Sequence, residues 1–267
     1  MTIRVGITLP SFRDDPDPTI AIARAADDAG LDGVFLFDHI FRAARTGDRP
    51  ALELAAVLGA VAAETSRVAI GSLVARATLR PPAVLANVFA SARRIAGERV
   101  IAGIGAGDSE SRGENESFGL RFGTLDERLA ALEAAVLAVR AAGVPVWVGG
   151  AHRRLVPIVA LADGWNRWGA DTERFATEAA RVRAMAPDAA LTWGGLVVLG
   201  ADDATAREKA ERLGASPGTI VGAPATVAAA LAPYVDAGAS WVVLGPVDSS
   251  DPGNVALACE VREQLRG

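Results

Sequence analysis

Asp38 and His39 follow directly on an apolar run at residues 33–37. Such a run predicts a strand that is buried on both faces and has its polar residues at the carboxyl end. An imidazole at a strand end can give or take a proton near neutral pH, because its ordinary pKa is about 6.5. The chain contains two histidines. His39 is therefore a candidate acid/base, and a structural histidine at a strand–loop junction is the alternative.

A second candidate follows a glycine-rich run, in which Gly103, Gly105 and Gly107 precede Asp108. A dinucleotide-binding fingerprint would have its third glycine at position 108 and a helix beginning there, and the sequence has neither. An aspartate acts as an acid near neutral pH only where burial favours its protonated form, and elsewhere it can orient a substrate. We favour His39 as the acid/base and Asp108 as its partner or as the orienting group.

A third candidate is the segment Gly149, Gly150 and Ala151, which follows an apolar run at residues 144–148. A helix is predicted to begin at His152, just after it. Free backbone N–H groups at a helix start can bind a phosphate, and glycines allow it to approach closely. The alternative is a glycine turn followed by surface arginines at positions 153 and 154.

Scarce residue types argue against several mechanisms. The single lysine, Lys209, lies on a charged helix face, which argues against a Schiff base and against a Walker-type phosphate loop. Two histidines and one cysteine do not supply the usual zinc ligands, so we predict no metal site, although magnesium bound by carboxylates stays open. A net charge of -5 without a basic stripe argues against binding to nucleic acid.

Eight apolar runs that alternate with helical patterns would position these groups. The predicted strands are residues 4–9, 33–37, 67–74, 99–104, 144–148, 162–165, 191–199 and 241–244. This alternation predicts an α/β fold, a single-domain (β/α)₈ TIM barrel over residues 1–267, and a doubly wound open sheet is the alternative. The carboxyl ends of barrel strands meet at one face, which would bring the candidate groups together.

The sequence shows no signal pattern and no apolar run of about 18 residues. We therefore expect a soluble, cytoplasmic protein that does not bind membranes. The single cysteine, Cys259, lies in a helical pattern and is expected to be packed rather than reactive.

Four motifs in barrel order carry a family resemblance. They are residues 29–33 leading to Asp38 and His39, residues 65–71 with 80–82, residues 99–107, and residues 144–150 with 162–165. In these motifs the sequence resembles the luciferase-like monooxygenase superfamily of flavin- and coenzyme F420-dependent oxidoreductases. The resemblance covers nearly the whole chain.

The resemblance implies that FMN or coenzyme F420 binds at the carboxyl end of the barrel. Members that use FMN often have a tryptophan after the glycine-rich motif of strand 4, whereas members that use F420 commonly have an acid there. Asp108 therefore favours F420, with FMN as the alternative. We expect hydride transfer between F420 and a small organic substrate. An FMN-dependent monooxygenase and a non-catalytic flavin- or F420-binding protein are the alternatives.

Matched position by position, the resemblance also implies which residues bind the cofactor. They are Asp38, Leu73, Val74, Gly105, Gly107, Gly149, Gly150 and Ala151. Asp38 and His39 would lie near the deazaflavin ring. The Leu73–Val74 pair would match a bulge in strand 3 that supports the ring and contains a cis peptide bond.

The chain departs from the family between helix 4 and strand 5, where only three residues separate Arg140 from Val144. Most members have a long insertion at this point. The shorter connection takes away part of a typical cofactor or substrate wall.

Two predicted helices, at residues 50–63 and 81–96, are apolar almost all round. One stripe facing the core needs fewer apolar residues, so a second buried surface is implied. Relatives commonly dimerise through this region. We therefore expect a homodimer with a two-fold interface on these helices.

Overall fold

The computed structural model of the protein describes residues 2–42, 49–109 and 111–267. The strands are β1 (Arg4–Thr8), β2 (Gly33–Leu36), β3 (Phe41–Arg42), β4 (Arg49–Pro50), β5 (Ala69–Arg76), β6 (Val100–Gly105), β7 (Val146–Gly149), β8 (Gly164–Trp168), β9 (Ala190–Leu199), β10 (Ile220–Gly222) and β11 (Ala239–Pro246). The helices are α1 (Asp17–Asp28), α2 (Leu54–Glu64), α3 (Pro82–Ala96), α4 (Ser111–Ser117), α5 (Leu125–Ala141), α6 (Val156–Val159), α7 (Thr172–Met185), α8 (Asp203–Leu213), α9 (Pro224–Asp236) and α10 (Gly253–Arg266).

Parallel strands close into a barrel. Within the described ranges the ring contains eight strands, in the order β1, β2, β5, β6, β7, β8, β9 and β11. Pairing of β11 with β1 and of β8 with β9 completes the ring. The predicted (β/α)₈ barrel is confirmed. The short strand β10 lies beside β9, outside the ring, and its three residues give no pattern that the sequence analysis could have used.

Aromatic side chains fill the barrel interior. Phe35 stacks on Trp147 with ring centroids 5.5 Å apart, and the edge of each ring meets Trp241. All four residues of β2 are buried, as the apolar run predicted. The barrel is therefore a packed core, and space for a ligand lies at the carboxyl ends of its strands, which we call the mouth.

Two helix starts show where local patterns succeed and fail. The spacing of Thr124 and Glu127 predicts a capping box, and the structure confirms it. The side chain of Thr124 accepts from the Glu127 N–H at 3.3 Å, and Glu127 accepts from the Thr124 N–H at 2.7 Å. The helix predicted to begin at Pro50 begins instead at Leu54, capped by Glu53. Pro50 lies in β4, which pairs with β3 in a short antiparallel hairpin.

The polar stretch at residues 109–123 predicts a loop, but it contains the helix α4. A second polar stretch, at residues 42–49, also predicts a loop. Residues 43–48 of that stretch, and residue 110, lie outside the described residues. The connection between α5 and β7 is short, as predicted, because α5 ends at Ala141 and β7 begins at Val146. The helix predicted from His152 is only a 3₁₀ turn, Arg153–Leu155, followed by the single turn α6.

Packing against the barrel buries most of the apolar side chains on which the predicted dimer interface depended. The apolar side chains of α2 that pack into the core are Leu54, Val57, Leu58 and Val61. On α3, Val84 and Ile95 remain 49% and 55% exposed. The apolar surface left outside the barrel therefore lies on α3 rather than on α2. None of the helices in the described ranges is long and apolar enough to cross a membrane.

Candidate active site

A cavity of about 530 Å³ opens at the mouth, between the ends of β2, β5, β6, β7 and β8. This volume lies within the range of small-molecule sites, roughly 300–1,000 Å³. Its lining includes nearly every residue that the sequence analysis selected: His39, Leu73, Val74, Gly105, Gly107, Asp108, Gly149, Gly150 and Ala151. The barrel thus brings together groups that are far apart in sequence.

The side chain of Val74 lies against two glycines, and together Val74, Gly105 and Gly149 form what we call the cavity floor. A Cβ on Gly105 would lie 2.6 Å from Val74 Cγ2, and a Cβ on Gly149 would lie 2.4 Å from Val74 Cγ1. Both distances are too short for a side chain at either position unless Val74 moves. The Leu73–Val74 peptide bond is cis, as the resemblance predicted.

His39 is held at one nitrogen. Its Nδ1 lies 3.1 Å from Oε2 of Glu114, and its ring packs beside Phe12 with centroids 5.1 Å apart. The side chain is 36% exposed and lines the cavity. Because Nδ1 is engaged, Nε2 is the nitrogen left for a ligand. The carboxylate bonded to His39 is thus Glu114, and not Asp108 as the sequence analysis considered.

Glu114 lies on α4 and is 5% exposed. Its Oε1 accepts from the backbone N–H groups of Ile40 and of Phe41, the latter at 3.1 Å. Its Oε2 also lies 2.9 Å from Nη1 of Arg76, a buried residue at the end of β5. Neither residue could be selected from the sequence, because 75 positions separate His39 from Glu114 and no spacing rule relates them.

Asp38 lies behind the cavity wall rather than at its surface. It is 2% exposed, and Oδ2 accepts from the Arg76 N–H at 2.9 Å. Arg80 binds both carboxylate oxygens, at 2.7 and 3.1 Å. Burial lowers the pKa of the Arg80 guanidinium, but Asp38 and Glu53 outweigh it and raise that pKa above its ordinary value. These contacts make Asp38 a support for Arg76 and leave no free carboxylate oxygen for the ring contact that the resemblance implied.

Asp108 lines the cavity and is exposed. Its Oδ1 accepts from the backbone N–H and the hydroxyl of Ser111, each at 3.0 Å, at the start of α4. The burial that an acid would require is absent. Asp108 therefore holds α4 in place and can orient a ligand.

The predicted phosphate segment is partly occupied by the protein's own hydrogen bonds. The Gly150 N–H donates to the carbonyl of Asn166 at 3.1 Å, so it is not free, contrary to the prediction. Among the described contacts, the N–H groups of Ala151 and His152 have no protein acceptor. Gly150 has φ +133°, and a Cβ there would lie 2.7 Å from Leu155 Cδ1. Glycine is therefore required at position 150 by the backbone itself.

Neither of the two arginines that follow the predicted phosphate segment, Arg153 and Arg154, lines the cavity. Arg154 is paired with Asp126 at 2.6 Å on the surface. Arg128 lines the cavity, its guanidinium lying 4.2 Å from the ring centre of Phe122. No carboxylate in the described part of the chain pairs with Arg128, and its buried Nε has no hydrogen-bond partner there. Arg128 is thus the better placed of the two to meet an anion.

A family model described as luciferase-like monooxygenase matches residues 2–218. The chain belongs to this family. Two similar curated proteins are named F420-dependent glucose-6-phosphate dehydrogenase. The protein from Beutenbergia cavernae is 33% identical over 148 residues, which are 55% of this chain and 42% of that one. The protein from Kineococcus radiotolerans is 34% identical over 139 residues, 52% and 40% of the two chains. The chain thus matches only about two fifths of the length of these relatives.

Solved structures share the whole fold at low sequence identity. An F420-dependent secondary alcohol dehydrogenase with an F420–acetone adduct has a TM-score of 0.82, 15% identity and full coverage of both chains. A riboflavin lyase with modified FMN has a TM-score of 0.78 and 16% identity, covering 100% of this chain and 92% of that one. These likenesses agree with the luciferase-like barrel. Within the described ranges, no three His, Cys, Asp or Glu side chains are grouped as metal ligands.

Proposed function

We propose that this luciferase-like protein is an oxidoreductase that transfers a hydride between coenzyme F420 and a small organic substrate. The observation that carries the proposal is His39, held through Nδ1 by Glu114 at 3.1 Å, with its other nitrogen left for the cavity. The F420-dependent names of the similar curated proteins support the choice of cofactor. Bound at the mouth, F420 would accept or deliver the hydride at C5 of its deazaflavin ring.

The cavity suits a flat ring with a charged tail. Val74, supported by Gly105 and Gly149, offers an apolar floor that a planar ring system could cover. Two guanidinium nitrogens beside the cavity, Nη2 of Arg76 and Nε of Arg128, are buried without a partner in the described part of the chain. Such donors are costly unless an acceptor reaches them. A polar or anionic cofactor would supply acceptors.

Just after β7, the backbone N–H groups of Ala151 and His152 would donate to the cofactor's phosphate. Arg128 would add a charge-assisted contact to it. Gly149 and Gly150 would act by keeping side chains away, because the Gly150 N–H is already used in the sheet.

We assign the transfer of the substrate's proton to His39. For an alcohol substrate, Nε2 of His39 would take the hydroxyl proton as the carbon loses its hydride to the cofactor, and it would return that proton in the reverse direction. Asp108, exposed at the rim beside Gly107, would orient the substrate through the carboxylate oxygen that does not cap α4.

Cofactor titration tests the proposal. The purified protein is titrated separately with F420 and with FMN, and binding is followed by the absorbance and fluorescence of each cofactor. We expect F420 to bind more tightly and to be reduced by a member of an alcohol panel. Tighter binding of FMN together with oxygen consumption would favour a monooxygenase instead, and tight binding of either cofactor without turnover would favour a non-catalytic binding protein.

We also propose a homodimer, with its two-fold interface on α3. The support is the exposure of two large apolar side chains, Val84 and Ile95, on this one helix. Light scattering at micromolar concentration should give twice the chain mass, 27.4 kDa. A monomer at that concentration would contradict this part of the proposal.

A further inference from the structure

We infer that Glu114 is a positioning residue that holds the proton of His39 on Nδ1 and so leaves the Nε2 lone pair for the ligand. Only the use of that lone pair in catalysis rests on the proposed function. The tautomer is a property of the chain alone, so it can be tested without cofactor or substrate.

The neighbours of the Glu114 carboxylate are donors. Its Oε1 accepts two backbone N–H groups, those of Ile40 and Phe41. Its Oε2 lies 2.9 Å from Nη1 of Arg76, and a guanidinium has no acceptor atom. Since both oxygens face donors, the carboxylate acts only as an acceptor.

The same geometry fixes the imidazole. Nδ1 of His39 lies 3.1 Å from Oε2, and because that oxygen is an acceptor, Nδ1 must be the donor. A neutral imidazole carries one N–H, so Nε2 then has a free lone pair. His39 is thereby prepared as a base toward whatever occupies the cavity.

Asp38 in turn holds Arg76, the residue that contacts Glu114. Arg76 donates through Nε to the carbonyl oxygen of Asp38 at 2.9 Å, and its backbone N–H donates to Asp38 Oδ2. Asp38 therefore fixes Arg76, Arg76 fixes Glu114, and Glu114 fixes His39. This chain of contacts gives Asp38 an indirect role in the site. At the same time, the Asp108 cap on Ser111 holds the helix that carries Glu114.

The second histidine provides an internal reference. Nδ1 of His152 accepts from the backbone N–H of Arg154 at 3.2 Å, so His152 has its proton on Nε2, the opposite tautomer. Nitrogen-15 NMR of the imidazoles in the full-length chain distinguishes protonated from unprotonated ring nitrogens. The variant His152→Gln assigns the signals, because the chain contains only two histidines.

At a pH where both rings are neutral, we expect His39 to show a protonated Nδ1 and His152 a protonated Nε2. Glu114→Gln should shift His39 toward the Nε2–H tautomer, because the amide can present an N–H group to Nδ1. Glu116→Gln is the matched control, because Glu116 lies on the same helix but is exposed and, among the described residues, forms an ion pair only with Arg112 at 3.4 Å. This variant should not change the tautomer of His39. A protonated Nε2 on His39 in the unmodified protein, or an unchanged tautomer in Glu114→Gln, would overturn the inference.

Turnover supplies the second measurement. Glu114→Gln should lower kcat by up to about 10⁴-fold, the loss that follows when a catalytic imidazole is left in the wrong tautomer. Glu114→Asp keeps the charge and should recover part of this loss, whereas a purely structural role would not favour Asp over Gln. Thermal unfolding shows whether each variant is folded. If the tautomer shifts while F420 fails to bind even the unmodified protein, the proposed function fails and the positioning role of Glu114 stands.

Discussion

Asp27 and Glu114 are both buried carboxylates on helices, and they lie at opposite ends of the barrel. Asp27 is 6% exposed and Glu114 5%. Asp27, on α1, accepts from the backbone N–H groups of residues 66–68, just before β5 begins. Glu114 also accepts two backbone N–H groups, but it shares its other oxygen with His39 and Arg76. One carboxylate thus joins backbone segments, and the other joins a backbone segment to side chains that line a cavity.

The difference shows how a barrel separates stability from chemistry. In (β/α)₈ barrels the amino-terminal face of the strands serves stability and the carboxyl-terminal face serves catalysis. Three donors of Asp27 are backbone N–H groups, which the chain fixes in place, and the fourth is the hydroxyl of Ser66. Burial raises the pKa of Asp27, but the backbone hydrogen bonds from Val68, Ser66 and Arg67 outweigh it and lower that pKa to about 2. Removing each carboxylate should therefore have different consequences.

The largest effect on any measured quantity should come from removing a side chain at the mouth. His39→Ala should lower kcat by about 10²- to 10⁴-fold, the range for loss of a general acid or base, while F420 affinity stays nearly unchanged. Stability should change little, because the side chain is 36% exposed. Steady-state kinetics, cofactor titration and thermal unfolding together check this.

Two other results would contradict the assignment of catalysis to the mouth and of stability to the opposite end of the barrel. Loss of F420 affinity with kcat intact would make His39 a binding residue. A large fall in the thermal stability of His39→Ala would show that His39 has a structural role like the one we assign to Asp27.

The fold could be predicted from the sequence to a large extent, because its signals are local. Apolar runs gave the positions of the barrel strands, and the spacing of Thr124 and Glu127 gave a helix start that the structure confirms. The start predicted at Pro50 was wrong because a proline also suits a strand edge, and the β3–β4 pairing depends on residues outside that pattern.

The candidate site was predictable only in its glycines and strand ends. His39, Asp108 and Gly149–Ala151 line one cavity because each follows a barrel strand, and strand ends converge. Glu114 was missed because it lies in a polar stretch that gives no helical pattern, and Arg128 because the pattern of α5 does not show which of its charged residues meets the mouth. The Gly150 N–H was assumed free, since a sequence does not show that the sheet continues to Asn166.

At the base of the barrel, Asp27→Asn should lower the free energy of unfolding by about 3 kcal/mol, because buried backbone donors lose a charged acceptor. Turnover by the folded protein should not change. Asp28→Asn, at the exposed neighbouring position, is the control and should be nearly neutral. Chemical denaturation measures both variants. An Asp27→Asn variant that is as stable as the Asp28 control would show that the hydrogen bonds of Asp27 are not structural.

Lowering the pH should remove part of the stabilisation that Asp27 provides. The pKa of Asp27 is about 2 in the folded chain against 3.8 for an ordinary aspartate, so ionised Asp27 stabilises the fold. For a lowered pKa this contribution is complete above about pH 4 and is lost as the pH falls toward 2. The stability difference between the unmodified protein and Asp27→Asn should therefore narrow between pH 4 and 2. A constant difference across that window would contradict the low pKa.

The smallest predicted effect tests whether the mouth is shaped for a ligand. Gly149→Ala places a Cβ 2.4 Å from Val74 Cγ1, so this side chain of the cavity floor must move. We expect F420 affinity to fall about tenfold, or about 1.4 kcal/mol. Gly59→Ala on α2 is the control, because a Cβ at that position would have no neighbouring atom within 4 Å, and it should leave binding unchanged and stabilise the helix slightly.

A second substitution distinguishes displaced Val74 from general damage to the barrel. If Val74 is the side chain that moves, Gly149→Ala combined with Val74→Ala should bind F420 more tightly than Gly149→Ala alone, because the smaller residue makes room for the new methyl group. Simple damage would make the double variant weaker than either single one. Recovery in the double variant, together with an unaffected mouth in Asp27→Asn, would show that the two ends of the barrel can be altered independently.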